Sequence, residues 1–133
     1  MSYCVYTAEY IGSPNHEAIY IETDPMAAES ADRGRRYHVT GTILQGMVYE
    51  SKGSLDPDHE ATHVPGTKKR IGTVAIGDLT RFEEECCRAV PPPRPQVTLG
   101  GKRLYSGTPL YRCGDWMRDV LVLAFEKGIF RAG

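Results

Sequence analysis

Hydrophobic residues recur along this chain at two different spacings, and each change of spacing marks a change of element. "YCVYTAEY" (Tyr3–Tyr10) is dense in β-branched and aromatic residues and predicts a strand. "HEAIYIET" (His16–Thr23) alternates apolar and polar positions and predicts a second strand, with a turn over "GSPN" (Gly12–Asn15) between the two. "RYHVTGTILQGMVYES" (Arg36–Ser51) predicts two short strands broken near Gly41, or one bent strand, and "KRIGTVAIG" (Lys69–Gly77) predicts another. The helical period then takes over twice. In "DLTRFEEECCRAV" (Asp78–Val90), Leu79, Phe82, Cys86 and Ala89 fall on one stripe, with Glu83, Glu84 and Arg88 outside it. "PPPRP" (Pro91–Pro95) stops that helix, because proline has no amide hydrogen to continue the ladder. In "CGDWMRDVLVLAFEKG", Trp116, Val120, Leu123 and Ala124 share a face, and Gly128 suits the position just past the helix end.

Between these elements lie an acidic, small-residue loop (Asp24–Arg35), a long polar loop (Lys52–Lys68), and a stretch read as loop or edge strand (Gln96–Pro109). No repeat or linker divides the chain. The expected fold is α+β, with an antiparallel β-sheet packed with two main helices in a single domain over residues 1–133.

Composition narrows the function classes. The chain has 133 residues, enough for a core without disulfides or metal. A net charge of −1 with scattered Lys and Arg gives no broad nucleic-acid footprint. The N-terminal residues lack a basic and apolar leader pattern, and the longest apolar run, "VLVLAF", is far too short to span a bilayer. The expectation is a cytoplasmic protein without a membrane partner. Its four cysteines (Cys4, Cys86, Cys87 and Cys113) are then reduced thiols, and no CxxC spacing occurs among them.

Cys113 is the thiol with a chemical reason for its position, because it opens the last helix. A helix N-terminus and a nearby imidazolium both favour thiolate. The helix end contributes only about 0.3–1 kcal/mol at an exposed site, so a histidine must supply the rest. His16 opens one expected strand and His38 lies within the next. If these strands are neighbours, both imidazoles reach one end of the sheet. The expectation is a Cys113–His16 pair that exists partly as thiolate and imidazolium near neutral pH, with Cys4, Cys86 and Cys87 buried and slow to react.

The stretches "HEAIYIET…YHVTG" and "RCGDWMRDVLVLAFEKG" resemble the histidine strand and cysteine helix of the lecithin:retinol acyltransferase-like family. That family sits in the circularly permuted papain-like superfamily with the NlpC-type peptidases, where the histidine strand precedes the cysteine helix. The resemblance implies a permuted papain-like fold and a cysteine-dependent acyltransferase or hydrolase. Cys113 would be the nucleophile forming a thioester, His16 the general base, and His38 the residue that orients it. Acyl-donor and acyl-acceptor small molecules would be the partners, and no cofactor is implied. Arg112 stands where the family has Asn, Glu17 where it has Trp, and Asp115 and Trp116 where it has His-Phe. Arg112, Asp115 and Trp116 are therefore candidate substrate contacts, although Asp115 also favours a first helical turn and Trp116 also suits a core. The "CxxW" spacing is similar to that of small fungal proteins. One fungal group, the arginine-containing cyclodipeptide synthases of secondary metabolism, joins aminoacyl groups taken from tRNA, so a tRNA-dependent synthase of that kind, with aminoacyl-tRNA as donor, is the alternative function. A binding module or scaffold that keeps the fold without chemistry is the rival from another class.

"HEATH" (His59–His63) matches the HExxH of zinc peptidases. That motif needs a helix that sets its two imidazoles one turn apart, and Pro57 and Pro65-Gly66 leave too little room for one. No metal site is expected. "TLGGK" (Thr98–Lys102) lacks phosphate-loop spacing.

Overall fold

A computed structural model describes residues 1–12 and 14–133; the turn expected at Gly12–Asn15 includes Ser13, which lies outside the described residues. Six strands form one antiparallel sheet in the order β4-β3-β2-β1-β5-β6. They are β1 (Ser2–Tyr10), β2 (His16–Glu22), β3 (Gly34–Thr42), β4 (Gly46–Ser54), β5 (Lys69–Ala75) and β6 (Phe130–Arg131). The first four strands form a meander, and β5 then adds to the far side of β1.

Strand alternation decides what each face buries. Val5, Ile19, Ile21, Tyr37, Val39 and Val74 are all at most 1% exposed and form one core with the helices. The opposite face holds a smaller cluster of Ala8, Tyr10 and Ala18. There Arg36 lies 3.9 Å from the Tyr10 ring centre and pairs with Glu60 at 3.2 Å.

The second helical segment, α2 (Cys113–Glu126), buries Cys113, Trp116, Met117, Val120 and Ala124 against the sheet. Each fully buried large side chain contributes on the order of 1.5–3 kcal/mol by leaving water. Leu123, expected on that face, lies at its edge and is only partly buried. Gly128 closes the helix with φ +69°. Its N–H donates to the Phe125 carbonyl at 3.1 Å, and the Ile129 N–H donates to the Ala124 carbonyl at 3.0 Å. These two bonds form a Schellman motif, whose left-handed residue is least strained as glycine.

Several local expectations shift. The hairpin turn falls at Ile43–Gln45, a little beyond the predicted break at Gly41. β4 runs to Ser54, three residues into the segment read as loop. The helix expected over Asp78–Val90 is a short α-helix, α1 (Leu79–Phe82), that widens into a π-turn over Glu83–Cys87. The Arg88 N–H reaches back five residues to the Glu83 carbonyl at 3.2 Å. That extra residue per turn moves Cys87 inward beside Cys86 and leaves Ala89 exposed. Glu83, expected outside, accepts a hydrogen bond from the Tyr37 hydroxyl at 2.8 Å. Cys4, expected to be buried, is partly exposed on β1.

Candidate active site

β2 and β3 pair only along Ile19–Ile21 and Arg35–Tyr37. Toward the start of β2 and the end of β3 the ladder has stopped. There a cavity of about 350 Å³ opens, walled by His16, Val39, Ile43, Met47, Arg112 and Cys113. His16 comes from the first residue of β2 and Cys113 from the first residue of α2.

Cys113 is held there by capping and by a strap. Arg112 is the N-cap, with extended backbone (φ −117°, ψ 179°). Its guanidinium offers only donors, so it cannot cap the exposed amides itself. Capping runs the other way: the Asp115 carboxylate accepts the Arg112 N–H at 2.8 Å. The Trp116 N–H then donates to the Arg112 carbonyl at 3.0 Å and closes the first turn. Just before the helix, buried Gln96 clamps Tyr111 from both sides. Its side-chain amide donates to the Tyr111 carbonyl and its side-chain oxygen accepts the Tyr111 N–H, each at 2.6 Å. The Gln96 N–H also donates to the Ile43 carbonyl at 2.6 Å, and the Met47 N–H donates to Pro93 at 2.8 Å. The proline-rich segment thus ties the β3–β4 turn to the start of α2 and sets the cavity's width.

His16 belongs to a relay of three side chains. Its Nε2 lies 2.6 Å from His38 Nδ1, and His38 Nε2 lies 2.7 Å from Glu50 Oε1. Register builds this chain: His38 stands directly opposite Glu50 across the β3–β4 hairpin. Ala18, fully buried on the same face as His16, leaves room for the two rings to meet. Burial lowers the proton affinity of both histidines. His16 falls to about 4, through desolvation first and then His38 and Arg36. His38 is lowered by desolvation against the opposing pull of Glu50. Glu50 is lowered by its hydrogen bond to His38, so it is an anion that can only accept. The tautomers follow from that anion. His38 carries its hydrogen on Nε2 and accepts on Nδ1, and His16 donates from Nε2. The lone pair of neutral His16 is left on Nδ1. The standing imidazolium expected from sequence is thereby corrected: at neutral pH His16 is an uncharged base. Among the described residues, no hydrogen bond joins it to Cys113.

The sequence profile of one protein family, described as "Family of unknown function (DUF6540)", matches residues 5–131. The chain belongs to that family. No curated protein and no solved structure matches the chain.

The remaining site candidates of this DUF6540 chain divide between the cavity and the core. Arg112 lines the cavity. Asp115 caps α2 and pairs with Arg118 at 3.1 Å. Trp116 lies in the core at 0% exposure, its ring tilted against that of Tyr49, with its indole N–H donating to the Val90 carbonyl at 2.9 Å. It is a packing residue and does not wall the cavity. In "HEATH", only His59 belongs to a helical turn, a 3-10 turn over Pro57–His59, and the chain is extended at Glu60. His63 is buried, with Nε2 3.1 Å from the Thr67 hydroxyl. Among the described residues no group of three His, Cys, Asp or Glu side chains is arranged to hold a metal ion. No helix there is long and apolar enough to cross a membrane. Glu50 and Gln96 escaped the sequence reading. The signal for Glu50 was the hairpin register; Gln96 had none.

Proposed function

We propose that this chain is a cysteine-dependent acyltransferase or hydrolase with a permuted papain-like arrangement, acting in the cytoplasm on small acyl donors and acceptors. Cys113 is the nucleophile, His16 the general base and His38 the residue that orients it, with Glu50 completing the relay. The observation that carries this reading is the shared cavity of Cys113 and His16, with His16 Nε2 engaged by the His38–Glu50 pair.

The chemistry follows from the tautomers. Nδ1 of His16 takes the Cys113 proton as the sulfur attacks an acyl carbonyl. The cation created on His16 is stabilised through His38 by the Glu50 charge, the division of labour seen in nucleophile–base–orienter triads. The amides at the start of α2 are available to the developing oxyanion. The base is neutral at rest, so the thiol proton moves as the carbonyl arrives. Collapse expels the leaving group and leaves a Cys113 thioester, which an acceptor or water resolves.

The test is intact-protein mass after incubation with activated esters, thioesters and aminoacyl esters. An acyl adduct that maps to Cys113 and is lost in His16→Ala supports the reading. A protein that stays unmodified by every donor class acts as a binding module instead.

A further inference from the structure

Cys113 has a second face. A separate cavity of about 130 Å³ is walled by Cys113, Glu17, Asp115, Arg118 and Asn15. His16 and Glu17 are adjacent on β2, so alternation sends them to opposite faces of the sheet. Glu17 takes the helix side, and its carboxylate lies directly over Gly114. A Cβ at Gly114 would fall 1.8 Å from Glu17 Oε2. The missing side chain at position 114 is what lets a carboxylate sit beside the residue that follows the nucleophile.

Arg112, Asp115 and Arg118 are the other charged groups of this cavity. Asp115 accepts the Arg112 N–H and pairs with Arg118. Glu17 makes no hydrogen bond and no ion pair among the described residues. Desolvation raises its proton affinity, helped by Glu9 and Asp115 and opposed by Arg118. An unpaired, partly desolvated carboxylate is costly unless something binds it.

We propose that Glu17 is a second acid–base residue of the site, and that the cavity it shares with Cys113 receives the acyl acceptor, a primary amine. The proposal rests on the thioester reading above. A carboxylate attracts an alkylammonium ion and can also make it nucleophilic by taking one proton. The amine lone pair then attacks the thioester carbonyl. A C–N bond forms, the C–S bond breaks, and the sulfur leaves with the electron pair. The second ammonium proton returns to the sulfur. Acyl-Cys113, alkylammonium and Glu17 carboxylate thus become amide, free thiol and Glu17 carboxylic acid, which loses its proton to water. His16 shares one cavity with Cys113, and the acceptor enters from the other.

The probe donor is p-nitrophenyl acetate and the probe acceptor methylamine. The protein is acetylated, freed of excess ester, and the acetyl mass on Cys113 is followed with and without methylamine, with N-methylacetamide as the product. Methylamine is expected to hasten loss of the acetyl group well beyond its effect on an acetylated free-cysteine derivative. Glu17→Gln is expected to acquire the acetyl group and to lose that acceleration by about 100-fold, the scale of one general base. Glu17→Asp, which keeps the charge on a shorter arm, should recover part of it. An acetyl-Cys113 whose decay in methylamine is the same in Glu17→Gln would overturn the proposal alone. A wild-type Cys113 that never takes the acetyl group would overturn the thioester reading and this proposal with it.

Discussion

Replacing His16 with glutamine should remove an acid-sensitive step from the stability of the fold. In the folded protein His16 drops from 6.5 to about 4, because burial strips water from the ring and because His38 and Arg36 disfavour a further positive charge. Unfolding returns the ring to water and to its ordinary value. Between those two values the unfolded chain binds more protons than the folded one. Stability is therefore lost as pH falls from 6.5 to about 4, and levels off below that. At about 1.36 kcal/mol per pH unit, the full drop is worth at most about 3.4 kcal/mol. The ring lines an open cavity, so water screens part of the effect, and about 1–2 kcal/mol is the expected loss. Glutamine keeps an N–H for His38 and does not titrate. His38 touches position 16, so the difference between the two proteins reports His16 together with its coupling to His38. Urea unfolding at about pH 7 and about pH 4.5 measures it, with the linear extrapolation giving each stability. Trp116, the single tryptophan, supplies the fluorescence signal. Wild type should lose about 1–2 kcal/mol more than His16→Gln between the two conditions. Equal losses would mean that His16 protonates as readily folded as unfolded, and the neutral-base argument would fall.

Trp116→Ala should cost about 3–5 kcal/mol, since it empties a fully buried site and orphans the Val90 carbonyl, while Trp116→Phe should cost clearly less; thermal or urea unfolding followed by circular dichroism decides. Gly114→Ala should push the Glu17 carboxylate aside yet change stability by less than about 1 kcal/mol, because alanine's helix preference offsets the displaced side chain. Its methylamine response should fall as in Glu17→Gln, and a normal response would separate Glu17 from Gly114. Iodoacetamide should label Cys4 and Cys113 before Cys86 and Cys87, which are at most 1% exposed; peptide mass mapping reads the order, and early labelling of Cys87 would contradict the π-turn packing.

The strands were legible because each keeps a period of two over enough residues to override turn signals. His16 and His38 became candidates for that reason: both lie on neighbouring strands whose faces can be followed. The partner at the end of their relay was not legible. Pairing His38 with Glu50 requires the turn at Ile43–Gln45, whereas a break at Gly41 puts other residues opposite His38. A shift of a few residues in a hairpin thus hides a functional side chain. Glu17 was visible only as a departure from a family pattern, since its role depends on an absent side chain at Gly114, almost a hundred positions away. The π-turn was invisible for a different reason. Cys86 and Cys87 are small enough to satisfy either winding, so the pattern continued to read as an α-helix through Ala89. The charge state of His16 depends on burial and on Arg36 across the sheet, which no local pattern encodes.

The order in which the elements follow one another has a consequence for biosynthesis. The four-stranded meander, β1 to β4, is complete well before α2 has been translated, and domains begin to organise from the N-terminal side as they are made. Until α2 arrives, the face carrying Val5, Ile19, Ile21, Tyr37 and Val39 has at most the short α1 segment to cover it. A nascent chain at that stage presents an apolar sheet surface of the kind that favours aggregation. It also carries His16, His38 and Glu50 but not Cys113. Cys113 joins last, on the same helix that seals the core, so a chain truncated before it lacks both the cover and the thiol that the proposed chemistry needs.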